Sequence, residues 1–448
     1  MDPAAEVRSR IHSLRCWVLR RRALLRRLIV TFPGYPWEPS EGAQQRVSQL
    51  VACLASTLGG GLQRLDLKFT CYAPWSDLYI PLPDPGGPGG LQELVLRDVH
   101  LPAAPEALGN LAGSLTLLSI SMCEGYAEQQ EGLPGLAQAL QRLTSLRRLE
   151  LRHMLFDSVP ASLTALSRLT ALVLSKNFLT EAQLPEEGLS LAQLQLLDLS
   201  DCELWRVPPI LQSFTALRTL LLGGNSLHAA EFPATLSALG DLAELALPRN
   251  RALGSVPEAV VHLSGLTKLD LCATGLHSVP AGPYLSTNLQ ELDLSRNTML
   301  PASNASILAG ASCLRRLSLA HTLPHDCRLP LAVASLQHLT CLDVGFVPAM
   351  KFPPGPYAAS LRVLHADGLD VRADKLPLMP SLQTLVWRYG RKITLGEARM
   401  LLERAPALRT LGLDASLRIT LPAERLLSAA GVAAGEYTPQ DGAEPYDY

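Results

Sequence analysis

The sequence is poor in the features that announce chemistry. No G-x-S-x-G elbow, H-E-x-x-H helix or G-x-x-x-x-G-K-S/T loop occurs along the 448 residues. That removes common signatures of acyl transfer, zinc hydrolysis and nucleotide binding. The nine cysteines stand singly from Cys16 to Cys341 with no C-x-x-C pair, a usage that suits reduced thiols in an intracellular protein. "HTLPHDC" brings His321, His325 and Cys327 close in sequence, but Pro324 breaks any helix that would align them as metal ligands. Long apolar runs are missing too: none approaches the roughly 18 residues of a membrane span. The amino terminus, "MDPAAEVRSRIHSL", has no apolar core of a secretory signal, and Asp2 and Glu6 argue against the transit peptide its arginines would suit. Charge is sparse and balanced, 18% of residues with a formal net charge of −2, so there is no general attraction to nucleic acid or anionic membrane. The expectation is a cytoplasmic protein that is not an enzyme and holds no cofactor or metal, with the nucleus or a ciliary axoneme as alternative locations.

What the sequence has in abundance is leucine at fixed intervals. "LQRLDL" at Leu62 recurs in kind at Leu91, Leu115, Leu146, Leu169, Leu194, Leu217, Leu242, Leu266, Leu289, Leu314, Leu339, Leu361, Leu382 and Leu408, fifteen copies in all. "LRRLIV" at Leu25 is a degenerate sixteenth, and from Leu146 to Leu361 the steps are 22–25 residues. One copy shows the design. In "LQLLDLSDCELWRVPPILQSF" (194–214) the apolar spacing is strand-like at Leu197 and Leu199 and near-helical from Val207 through Leu211 to Phe214. A short strand therefore turns back along the outside, and each unit is covered only when its neighbours stack on it. Burying several leucine-sized side chains, at roughly 1.5–3 kcal/mol each, then offsets the cost of ordering the unit.

The spacing L-x-x-L-x-L-x-x-N/C-x-L resembles that of the leucine-rich-repeat family, over most of the chain. Asn177, Asn225, Asn250 and Asn297 fill the ninth position, as do Cys123 and Cys202; in the family this residue bonds neighbouring backbone inside the turn. Thr274, Thr322 and Val347 depart from the pattern, so that ladder is expected to weaken toward the C-terminal half. The "VP" after the turn, at Pro160, Pro208, Pro257 and Pro280, resembles the intracellular subclass found in Ras-pathway scaffolds and plant cytosolic proteins. The resemblance implies an α/β solenoid, a curved horseshoe with a parallel β-sheet on the concave face and short helices, 3-10 turns and loops on the convex face. The predicted organisation is a basic N-terminal cap with a degenerate first repeat (1–61), a solenoid of about fifteen repeats (62–415), and a C-terminal cap with an acidic disordered tail (416–448).

The ends differ from the middle. Val47, Leu50, Val51, Leu54 and Leu58 share one helical face with Ser40 as a cap, and "LPDPGGPGG" (82–90) reads as a loop. "LGEARMLLERAPAL" reads as a final helix before the last strand. Eight arginines between Arg8 and Arg27 meet no acid, as in a solvated cap or a docking surface for an acidic partner. That stretch resembles the segment joining an F-box to the repeats in green-algal F-box/leucine-rich-repeat proteins, although the F-box motif itself is absent from this sequence. Along the middle outward column lie Asp198, Asp270, Asp293 and Asp343, ordinary repeat consensus. Arg296, Arg316, His321, Phe346, His365, Arg388 and Tyr389 occupy outward or strand-end positions in successive repeats. Arginine and aromatic residues are the usual anchors of interfaces, so these seven are the candidate partner-binding set. The function expected is a monomeric protein-interaction platform in signalling or complex assembly, with no nucleic-acid or membrane partner. The alternatives are the substrate-recognition subunit of an F-box-type ubiquitin ligase and a cytoskeletal or axonemal component.

Overall fold

The computed structural model describes residues 13, 16–17, 20, 25–32, 61–69, 90–99, 106–122, 133, 135–179, 191–281, 288–301, 308, 310–323, 328–347, 350–369, 372–389, 392–414 and 419–436. Outside them lie the helical face expected at 47–58 with its Ser40 cap, nearly all of the 82–90 loop, most of the arginine-rich stretch, Cys123, Pro324 to Cys327, and the tail beyond Glu436. The chain divides into two compact units, Met1–Asn225 and Ser226–Tyr448.

The first unit holds β1 (Arg27–Phe32), β2 (Arg64–Phe69), β3 (Glu93–Val99), β4 (Leu117–Met122), β5 (Arg148–Arg152), β6 (Ala171–Val173), β7 (Leu196–Asp198) and β8 (Thr219–Leu221). The second holds β9 (Glu244–Ala246), β10 (Lys268–Asp270), β11 (Glu291–Asp293), β12 (Arg316–Ser318), β13 (Cys341–Asp343), β14 (Val363–His365), β15 (Thr384–Val386), β16 (Thr410–Leu413) and β17 (Ala433–Glu436). Within each unit successive strands pair in parallel and in phase, so that Leu269 lies opposite Leu292 and Leu317 opposite Leu342. The fourth and sixth residues of each repeat point into the core: Leu197 and Leu199, Leu269 and Leu271, and Leu317 and Leu319 are all buried. Parallel neighbours need a crossover between them, and from β5 to β15 it holds, where described, only short turns of 3-10 or α-helix. Pro160, Pro208, Pro233, Pro257 and Pro330 immediately precede such turns, where a residue without an N–H costs nothing. Val207, Leu211 and Phe214 close the core from that side, as the change of period implies.

β1 pairs with β2 along its full length. At the other end the helix Leu395–Arg404 forms as read, with Thr394 Oγ1 accepting the Glu397 N–H in a capping arrangement, but β16 is not the last strand. The helix Leu421–Ala429 and β17 add a further repeat, with Ala423, Leu427 and Val432 buried. Its strand is "AAGE", which has none of the leucines that mark the others.

The ninth-position asparagines supply the partners that the turns require. The fully buried Asn297 accepts the N–H groups of Thr274 and Leu276 on Oδ1 and donates from Nδ2 to the carbonyls of Leu271, Leu294 and Ser295. Asn177 and Asn225 repeat that pattern. Beyond Asn297 the ladder thins: the Thr322 side chain offers a single donor, Oγ1, shared between the carbonyls of Leu294 and Ala320, and the Val347 side chain has nothing to offer. Replacing Asn297 by alanine should destabilise the second unit by about 3–5 kcal/mol, because several buried backbone groups lose their partners at once. Thr322→Ala should cost about 1–2 kcal/mol. Denaturant unfolding of the two variants checks the order; equal losses would refute it.

Candidate functional site

Four of the seven expected contact residues occupy one structural position. Arg296, His321, Phe346 and Tyr389 are eighth residues of their repeats, each in the left-handed region with φ between 54° and 60°. The N–H of Arg296 donates to the Ala320 carbonyl at 2.8 Å, that of His321 to Gly345 at 3.0 Å and that of Phe346 to Asp367 at 2.6 Å. Each turn is thereby locked over the next, and the side chains leave in a row along the far ends of the strands. The rings of His321 and Phe346 stack with centroids 4.3 Å apart and planes 11° apart. Phe346 also reaches Tyr389, 6.0 Å between centroids, although a whole repeat lies between them. The intervening eighth residue is Gly368, at φ 65°, and a Cβ there would stand 3.0 Å from Phe346 Cδ1. The missing side chain is what lets the Phe346 ring bridge to Tyr389, which is 61% exposed.

The other three lie elsewhere. Arg316 opens β12, exposed, with Glu291 across the strands at 3.5 Å. His365 sits half-buried at the end of β14, opposite Asp343. Arg388 is committed: Nε and Nη2 donate to Asp367 Oδ2 at 3.2 and 2.7 Å, and its backbone N–H donates to Asp367 Oδ1 at 2.8 Å. Asp367 is wholly buried, so this pair satisfies an inward carboxylate and ties two turns together. The sequence reading missed both Asp367 and Gly368. Their signal was present, as an aspartate and a glycine at the seventh and eighth positions of "LRVLHADGL".

The aspartates of the middle column are less free than their outward phase suggests. Asp270, Asp293 and Asp343 each accept the N–H two residues on, from Cys272, Ser295 and Gly345, a local bond that closes the turn. Asp198 does the same with Ser200. Asp270 and Asp293 lie opposite one another on neighbouring strands. Burial, with the charge of Asp293 beside it, pushes Asp270 up to about 6. Burial, with Asp293 and Asp367 nearby, pushes Asp343 up to about 7. The first unit handles the same column differently: Arg148 and Arg152 flank Glu150 and Ser119 donates to it. Burial alone would raise the Glu150 carboxyl, but these partners bring it below its ordinary value. The imidazoles of His321 and His365 are held low by burial, while burial pushes the thiols of Cys272 and Cys341 up to about 11, so neither is a thiolate nucleophile near neutral pH.

No family model and no curated protein matches the chain. Solved structures do. A leucine-rich-repeat protein of Leptospira interrogans overlays 89% of this chain and 98% of its own at 18% identity and a TM-score of 0.43. An internalin of Listeria monocytogenes overlays 96% and 94% at 17% identity and 0.39. TLR13, in its complex with ssRNA13, overlays 90% of this chain and 60% of its own at 16% identity and 0.51. The last likeness agrees with the in-phase parallel strands and the asparagine-closed turns. This is a leucine-rich-repeat fold. The leucine-rich-repeat turns are what bring His321, Phe346 and Tyr389 together, from residues 68 positions apart in sequence.

The raised aspartates carry a pH signature. A carboxyl that titrates near 7 when folded and near 4 when unfolded binds a proton on folding between those values. Its stabilisation is complete below about pH 4 and is lost as pH rises through about 7. Asp343→Asn mimics the protonated form and keeps the acceptor for Gly345. The variant should match wild type at pH 4 and exceed it by on the order of 1–3 kcal/mol at pH 8. The depressed histidines pull the other way, with stability lost as pH falls below their unfolded value, but they are common to both proteins and cancel in the difference. Urea unfolding at the two pH values measures it, and an unchanged difference would count against the buried-carboxylate account.

Proposed function

We propose that the chain is a non-catalytic cytoplasmic platform that binds a protein partner, in signalling or complex assembly, on the outward face of its second unit. One observation carries the reading: four left-handed turns in the span from Arg296 to Tyr389 bear a cation and three neighbouring rings, two of them stacked, not the small polar residues such turns tolerate best. A repeat fold needs no particular side chain there for its core. Arginine and aromatic side chains presented on a rigid row make anchors at small entropic cost. Arg316 and His365 extend the surface across the strands, and Arg388 holds the Asp367 turn beneath it. That no helix among the described residues is long and apolar enough to cross a membrane is consistent with this reading.

The test is affinity capture from a lysate of the source organism with the wild-type chain and with R316A/F346A/Y389A. Arg316 and Tyr389 are exposed, so the variant should unfold within about 2 kcal/mol of wild type. A partner held by wild type and lost from the folded variant is the expected result. Identical catches from both would place binding away from this row.

A further inference from the structure

A second feature of the outward face is charged. Arg315, Arg362 and Arg409 are the second residues of their repeats, just before β12, β14 and β16. They sit on alternate strands, with Thr340 and Gln383 between them. The register is fixed by the backbone: the N–H of Thr340 donates to the Arg315 carbonyl, Arg362 to Thr340, Gln383 to Arg362 and Arg409 to Gln383, each at 2.8 Å. All three arginines are exposed, and no carboxylate of the described residues pairs with their guanidinium groups. The third positions alongside, Arg316, Cys341, Val363, Thr384 and Thr410, contain no acid either. Elsewhere in this unit the third positions neutralise one another across neighbouring strands, as Lys268 does with Glu244.

Strands lie about 4.8 Å apart, so the row repeats every ~10 Å and spans about 19 Å from Arg315 to Arg409. A chain in the polyproline II conformation rises about 3.1 Å per residue with three residues per turn, so every third side chain along it faces the same way and recurs at about 9 Å. We infer that the start edge of β12–β16 docks a polyproline II segment of a partner protein carrying a carboxylate at every third residue, running across the strands with one carboxylate per arginine. The inference does not depend on the aromatic row, which lies at the opposite ends of the strands. The chain has its own acids at this spacing, Asp441, Glu444 and Asp447. They lie beyond the described residues, and removing them in the experiment separates them from a segment supplied in trans.

The experiment uses the full chain and a fluorescein-labelled synthetic peptide with aspartate at every third residue and proline and serine between, followed by anisotropy at low ionic strength. Binding should weaken about tenfold to a hundredfold in R315A/R362A/R409A, as three exposed pairs allow, and should fall with added salt. It should be unchanged in R147A/R218A, whose arginines occupy the same repeat position in the first unit. A peptide of the same composition with its three aspartates consecutive should bind at least several-fold more weakly. Equal binding of the two peptides, or of oligothymidylate at the same strand concentration, would overturn the spacing match. Binding that appears only after residues 437–448 are removed would overturn the partner and assign the row to the chain's own tail.

Discussion

Everything on the outward face depends on one constraint, the turn that ends each three-residue strand. Its eighth-position residue is held left-handed, and that N–H must find a carbonyl away from water. In the second unit it finds the next turn each time, from Arg249 donating to Cys272 through to Gly368 donating to Arg388. A left-handed non-glycine residue costs roughly 1–2 kcal/mol, and Arg249, Ala273, Arg296, His321, Phe346 and Tyr389 all bear it. Such strain persists only where the surroundings over-determine it, and here the turn-to-turn bond does so from Arg249 to Phe346, joined by a polar ninth-position side chain at Asn250, Thr274, Asn297 and Thr322. The result is a row whose side chains are fixed in direction whatever their chemistry. The core does not choose those side chains, which leaves them open to be chosen by a partner.

Where the asparagine ladder ends, other groups take over the same task. Thr322 covers part of it. Two repeats on, the load passes to Asp367, which accepts the backbone N–H of Arg388 and holds its guanidinium, while Trp387 Nε1 donates to the Leu369 carbonyl. A buried ion pair is a poor source of net stability, but it satisfies two turns at once and leaves the neighbouring eighth position free to be glycine. The opening that Phe346 uses to approach Tyr389 thus exists beside a turn whose backbone is satisfied by charge instead of by amide.

Much of this was legible before any coordinates. Leucine phase located the strands from β2 to β16, and the same phase put Arg296, His321, Phe346 and Tyr389 in one row, because in-register stacking turns equal repeat positions into neighbours. Three things were hidden. β17 was missed because alanine and glycine carry no apolar period. The commitment of Arg388 was missed because strand alternation does not extend through the turn, where Asp367 faces inward. The burial of the aspartate column was hidden because alternation says which way a side chain points, not that its carboxylate will fold back onto the N–H two residues on and be buried there.

The outward face is therefore partitioned by position within the repeat. Second positions at the strand starts carry unpaired arginines, middle positions carry carboxylates satisfied by their own turns, and eighth positions at the strand ends carry rings and a cation. The partition has a physical origin. The strand starts are solvated, so an unpaired guanidinium costs little there, whereas the middle of the sheet is dry enough to push Asp270 up to about 6 and Asp343 up to about 7. A carboxylate brought by a partner would be repelled over the middle column and drawn to either edge. The sheet thus selects against acidic segments lying along its centre, and it leaves the two edges as surfaces that can be altered, and can diverge, one without the other.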